Sequence, residues 1–171
     1  MGWYFGGRTN LKKGDKKLKL KQRTVVICTS VSFYERALDD AKELQKMGFK
    51  VRLPYTAMKM KRSGDFRVET YKTWMKDNRQ YVRKAWVMLN HFRKIVRGDA
   101  ILVLNYEKNG IFGYIGANVL MEMGVAFFGK KNIFVLNRPS DKLNNLEEIY
   151  GMLPVFLEGD IGALLRKEAW K

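Results

Sequence analysis

A chain of 171 residues, 46% of them hydrophobic, is sized for one domain with a substantial core. A single cysteine, Cys28, excludes an intrachain disulfide framework, and with one histidine beside it no familiar zinc site can be assembled from soft ligands. The net charge of +16, concentrated in residues 1–23 and 42–98, points to an anionic partner such as nucleic acid, a nucleotide or a membrane surface. The plainer alternative is a lysine-rich surface with no such partner.

No apolar run reaches the ~18 residues of a membrane span. The basic, aromatic N-terminus lacks the apolar core of a secretory signal. The sequence therefore reads as a cytoplasmic protein without a membrane partner, and no metal or cofactor is expected.

Residues 1–23 carry no hydrophobic period and read as a basic N-terminal arm, with enough alternation at 16–21 to permit a strand. Lys12, Lys13, Lys16 and Lys17 are the arm's candidate contacts to nucleic acid or another polyanion. A single α/β domain is expected over 24–171. Residues 24–29, TVVICT, are β-branched and apolar, as in a central strand. Ser30 to Ser32 make a turn, with Ser32 a candidate N-cap. Residues 33–47 place Phe33, Ala37, Leu38, Ala41, Leu44 and Met47 along one side of a helix, and Gly48 ends it.

Residues 49–53 form a second strand, stopped by Pro54. A basic loop is expected over 55–64, then one or two helices over 66–97. In that region Trp74, Tyr81 and Trp86 interleave with Lys72, Lys76, Arg79, Arg83 and Lys84. This is either core packing with snorkelling lysines or a surface for nucleic acid, with Arg79 and Arg83 on the backbone.

Residues 100–104, AILVL, are a strand buried on both faces. A loop with Gly110, Gly113 and Gly116 leads into an apolar helix over 117–128. Residues 132–136 form a fourth strand, 146–152 a short helix, 154–157 a last strand and 161–170 a last helix. Strands alternating with helices predict a five-stranded parallel sheet covered on both faces. The expected order is the flavodoxin-like, Rossmann-like 2-1-3-4-5, with a ligand crevice outside the carboxyl ends of the first and third strands.

One charge interrupts the apolar helix, Glu122. A carboxylate there is costly to bury without partners, so it should face a cleft or solvent. The bland alternative is a surface glutamate. Position in the second helical turn predicts an ionised group, suited to a nucleophile.

The segment GDAILVLN, the glycine loop, Met121-Glu122-Met123-Gly124-Val125-Ala126 and KKNIFVLN together resemble the nucleoside 2-deoxyribosyltransferase-like superfamily. That group includes the transferases and the deoxynucleoside 5′-monophosphate N-glycosidases. The resemblance spans about residues 24–160 and is dense over 91–137. It implies that Glu122 attacks C1′ of a nucleoside or nucleotide, expelling the base and leaving a sugar ester for water or a second base to resolve.

The resemblance also implies a pocket whose base side holds Ser30, Ser32 and Phe33. Asn105, Gly113, Gly116 and Asn118 would stand near the sugar or phosphate. A homo-oligomer is implied as well, because family transferases complete their sites across subunits. The chain departs from the pattern in three places. His91 stands where an acidic residue is usual and could protonate a leaving base. Gly116 stands where Asp or Ser is usual, and the first strand lacks its common tyrosine.

A second reading is a diverged, non-catalytic fold that holds RNA or DNA through the arm and middle helices. A phosphoribohydrolase ranks last, because the glycine-loop spacing of that group is not met by GYIGANVLME.

Overall fold

The computed structural model describes residues 22–170. The expected arm, with Lys12, Lys13, Lys16 and Lys17, therefore lies outside the described residues except for its last two positions. Five strands, β1 (Thr24–Thr29), β2 (Lys50–Arg52), β3 (Ala100–Leu104), β4 (Asn132–Val135) and β5 (Val155–Phe156), form one all-parallel sheet in the order β2-β1-β3-β4-β5. This is the order expected from the alternating pattern. In the central pair Ile27 lies beside Leu102 and Cys28 beside Val103. All five residues of β3 are buried, as a strand packed on both faces requires.

Among the described residues six α-helices connect or flank the strands: α1 (Tyr34–Lys46), α2 (Tyr55–Ser63), α3 (Val68–Tyr71), α4 (Tyr81–Arg97), α5 (Ala117–Phe128) and α6 (Leu146–Gly151). Alternating side chains of the strands feed two cores. On one face Val25, Ile27, Leu102 and Phe134 meet Ala37, Ala41 and Leu44 of α1 and Ile161 and Leu164 of the C-terminal segment. On the other, Val26, Cys28, Ile101 and Val103 meet Ile95 of α4, Val119 and Met123 of α5, and Ile149 of α6.

Three local expectations are corrected, those for 55–64, for the start of the first helix and for the C-terminal segment. The basic stretch expected as a loop is helix α2, which buries Ala57 and Met60 at a spacing of three and turns its lysines outward. Pro54 precedes it, and Gly64, in the left-handed region at φ 70°, closes it. The first helix begins one residue late. Val31–Phe33 form a 3-10 turn, Phe33 rather than Ser32 is the N-cap residue, and no side chain caps it.

The region before α4 is broken into α3 and two 3-10 turns, Thr73–Met75 and Asn78–Gln80. The expected final helix is instead two 3-10 segments, Ile161–Leu165 and Lys167–Ala169, separated by an extended Arg166. The Trp170 indole folds back to donate to the Leu164 carbonyl at 2.8 Å, and Arg23 stacks on its ring at 4.2 Å.

Among the described residues, no helix is long and apolar enough to cross a membrane.

Candidate active site

At the carboxyl ends of β1 and β3 a cavity of about 270 Å³ opens between α4 and the N-terminus of α5. This is where a parallel sheet in this order changes winding direction and leaves a crevice. At its deep end His91 of α4 and Glu122 of α5 line the space, and the fully buried Cys28 of β1 lies behind them. His91 Nε2 lies 3.7 Å from Cys28 Sγ and 3.8 Å from Glu122 Oε1. The His91 side chain is 4% exposed and that of Glu122 15%. Glu122 Oε2 and His91 Nδ1 make no hydrogen bond of ordinary geometry.

Burial governs the protonation of this cluster. It pushes Glu122 up to about 8, against the Cys28 thiol and the charge of Lys84, which both favour the carboxylate. The expectation of a carboxylate held ionised by the helix dipole is thus reversed, since desolvation outweighs a partial charge one turn away. Burial pushes His91 down to about 4, with Lys94 adding to the effect and a backbone contact at Ile27 opposing it. Burial also raises the Cys28 thiol and the Tyr34 phenol, each further raised by the charge of Glu122.

The walls are aromatic and cationic. Tyr34, Tyr55, Tyr71 and Trp74 line the cavity, and Tyr55 meets the half-exposed Trp86 edge to face at the rim. Lys84 Nζ donates to Asn118 Oδ1 at 3.1 Å and lies over the Trp74 ring. Lys108 Nζ lies 3.3 Å from Ser30 Oγ and over the Tyr114 ring. Burial lowers the pKa of both lysines, and the charge of Lys72 on the same wall lowers both further. No side chain caps α5 at Gly116, so its first N–H groups are left for solvent or an anion.

The sequence-predicted residues divide accordingly. Glu122, His91, Ser30, Gly116 and Asn118 line the cavity; Ser32, Phe33, Asn105 and Gly113 do not. Ser32 is exposed. Phe33 points to the α1 core and packs its edge on Tyr106 at 5.4 Å, because the 3-10 turn brings Tyr34 round to the cavity in its place.

Asn105 is fully buried. Its amide donates to the Gly113 and Asn137 carbonyls, and its Oδ1 accepts from the Asn137 N–H. Gly113, at φ 66°, leaves only 2.3 Å between an added Cβ and the Arg138 carbonyl oxygen. Both are structural ties between the loops after β3 and β4. Arg79 is held by Asp77 in a two-pronged ion pair outside the cavity, and Arg83 is exposed on α4.

Tyr34, Tyr55 and Lys108 carried no sequence signal strong enough to select them. Lys72, Trp74 and Lys84 stood out as part of the basic-aromatic stretch. Their convergence on one cavity depends on the turns between α3 and α4, which periodicity does not reveal.

No protein-family model matches this chain, and no curated protein is significantly similar to it. The chemistry is therefore read from the site.

The ligand atoms of Cys28, His91 and Glu122 all lie within 4.8 Å of one another, near enough for a metal ion to bridge them. Sequence reasoning set such a site aside, because one histidine and one cysteine fall short of the usual set. A carboxylate from a third element supplies the missing donor.

Proposed function

We propose that the protein cleaves or transfers the N-glycosidic bond of a nucleoside or nucleoside 5′-monophosphate, with Glu122 as nucleophile. The observation that carries this reading is the placing of Glu122. It is a carboxyl group at the deep end of an aromatic-walled cavity, on the second turn of a helix whose uncapped N-terminus borders the same space.

In the proposed reaction the Glu122 carboxylate forms a bond to C1′ from the face opposite the base. The C1′–N bond breaks and its electron pair leaves with the base, which takes up a proton at the solvent-facing mouth. Water or a second base then attacks C1′ and releases the carboxylate.

Tyr34, Tyr55 and Trp74 offer faces for the base. Lys72, Lys84, Lys108 and the first N–H groups of α5 suit a 5′-phosphate. His91 faces the nucleophile and is kept neutral by burial. That suits it to position Glu122 rather than to protonate a leaving base.

The test is base release from a panel of nucleosides and their 5′-monophosphates, with and without a free acceptor base, beside Glu122→Ala. Release by wild type alone supports the reading. Dependence on acceptor would assign a transferase, and independence a hydrolase. Release that is unchanged in Glu122→Ala would sink the assignment of the nucleophile.

The exposed side of α4 favours a second reading. Tyr81, Val82, Trp86 and Leu89 stand in solvent there beside Arg79 and Arg83, an arrangement suited to stacking and backbone contacts with single-stranded nucleic acid. Salt-dependent binding of RNA or DNA that survives Glu122→Ala, with no base release, would support it.

A further inference from the structure

The group at the deep end of the cavity combines a thiol, an imidazole and a carboxyl from β1, α4 and α5. We propose that Cys28, His91 and Glu122 form a site for a zinc-class divalent cation, with the cation's fourth position open to the cavity.

The donor set decides the class of ion. Sulfur and imidazole nitrogen disfavour magnesium and calcium, which take oxygen ligands, and favour zinc and its analogue cobalt. Bond lengths of about 2.3 Å to sulfur and about 2.0–2.1 Å to nitrogen and oxygen place tetrahedral ligand atoms about 3.3–3.6 Å apart. The two separations from His91 Nε2, 3.7 Å to Cys28 Sγ and 3.8 Å to Glu122 Oε1, need contract by only a few tenths of an ångström, and the Cys28–Glu122 pair closes from within 4.8 Å. Charge fits as well. Binding displaces the Cys28 and Glu122 protons to solvent, and the resulting thiolate and carboxylate with a neutral imidazole balance a divalent ion, so the loaded site is neutral in an apolar surrounding.

Access is through the cavity. Cys28 is fully buried, whereas His91 and Glu122 line the open space. Three protein ligands with a fourth position facing a cleft are the arrangement of an exchangeable site rather than a closed structural one. Glu122 Oε2, which makes no hydrogen bond of ordinary geometry, is a donor ready for the ion or its water.

The binding site stands on this geometry alone. A consequence rests on the proposed glycosidic reaction: an ion held by Glu122 occupies the nucleophile, so the loaded protein would not release base.

The experiment is titration of the reduced, metal-free full chain with Co²⁺, followed by absorption, then displacement with Zn²⁺. Expected is one equivalent of cobalt with a thiolate-to-metal charge-transfer band and the intense visible bands of tetrahedral geometry, all lost on adding zinc. Cys28→Ala should lose the charge-transfer band. Glu122→Gln should weaken binding by more than the ~10-fold that loss of an outer-shell partner costs, with folding of both variants verified by circular dichroism.

The weak spectrum of hydrated octahedral cobalt in the wild-type protein would overturn the site without reference to any variant. So would a tetrahedral spectrum unchanged in Cys28→Ala. Because the readout is spectroscopic, it is independent of base release. A cobalt site in a protein whose metal-free form releases no base would retain this inference and remove the proposed function. Activity with no cobalt site would do the reverse.

Discussion

His91 Nε2 faces Glu122 Oε1 at 3.8 Å in a pocket that favours the uncharged form of both groups. The proposed nucleophile is the ionised carboxyl, so kcat/KM for base release should rise with pH and level off above about 8 as Glu122 loses its proton. His91→Asn should shift the midpoint while leaving some activity, because the imidazole orients the carboxyl rather than reacting. Rate measurements from acid to mildly alkaline pH decide this. A rate that falls over the same range would make Glu122 a proton donor instead.

The same two groups set a stability profile. Unfolded, Glu122 titrates near 4.5, and folded it holds its proton up to about 8. Over that span the folded state carries the extra proton, so stability falls as pH rises. His91 acts oppositely. Folded it is neutral above about 4, and unfolded it is neutral only above 6.5, so its contribution increases with pH across that window. The two offset each other up to 6.5. From 6.5 to about 8 only Glu122 remains, and stability should decline by up to ~1.4 kcal/mol per pH unit. Cys28 and Tyr34 stay neutral throughout because burial raises both. Urea denaturation of wild type and Glu122→Gln across this range provides the check, and the variant should lose the decline.

Asn105 and Gly113 act through folding. Asn105→Ala removes three hydrogen bonds and strands the Asn137 N–H in a partly buried seam, at a cost of about 2–4 kcal/mol. Gly113→Ala forces a left-handed backbone and a clash with the Arg138 carbonyl, costing ~2 kcal/mol or more. Denaturant midpoints measure both. A stable Asn105→Ala protein with a raised KM would return Asn105 to the substrate.

The sheet is legible because β1, β3 and β4 are short apolar runs bounded by polar residues and glycine, and alternation with helices leaves few ways to wind them. AILVL could be nothing but a central strand once it had helices on either side. Helix α2 was misread because its lysines dominate the composition, although Ala57, Met60 and the closing Gly64 carried the signal. Glu122 was legible as the one charge in an apolar helix. Its ionisation was not, because desolvation depends on what α4 and β1 lay against it. The partnership of Cys28 with His91 and Glu122 lay beyond sequence reasoning for the same reason. Helical period shows which face of α4 is buried, but not that His91 meets the strand residue two positions before Ser30. The resemblance puts Phe33 on the base side of the pocket, and a single 3-10 turn is enough to exchange it for Tyr34.

Lys84 tests which end of the substrate the cationic wall serves. It is half buried, is anchored to Asn118 in the first turn of α5, and lies over Trp74. In the proposed reaction Lys84 and Lys108, which both line the cavity, would meet a 5′-phosphate at the uncapped helix N-terminus. Loss of one charge-assisted hydrogen bond costs ~1.5 kcal/mol, or about 10-fold in KM for a nucleoside 5′-monophosphate, with little effect on the nucleoside. Lys108→Ala should behave the same way. The Lys84 charge also favours the Glu122 carboxylate, so Lys84→Ala carries a second signature that Lys108→Ala lacks: the pH–rate midpoint moves further upward. Equal losses on nucleoside and nucleotide, together with that shift, would assign Lys84 to the nucleophile alone and leave the phosphate to Lys108 and the helix backbone.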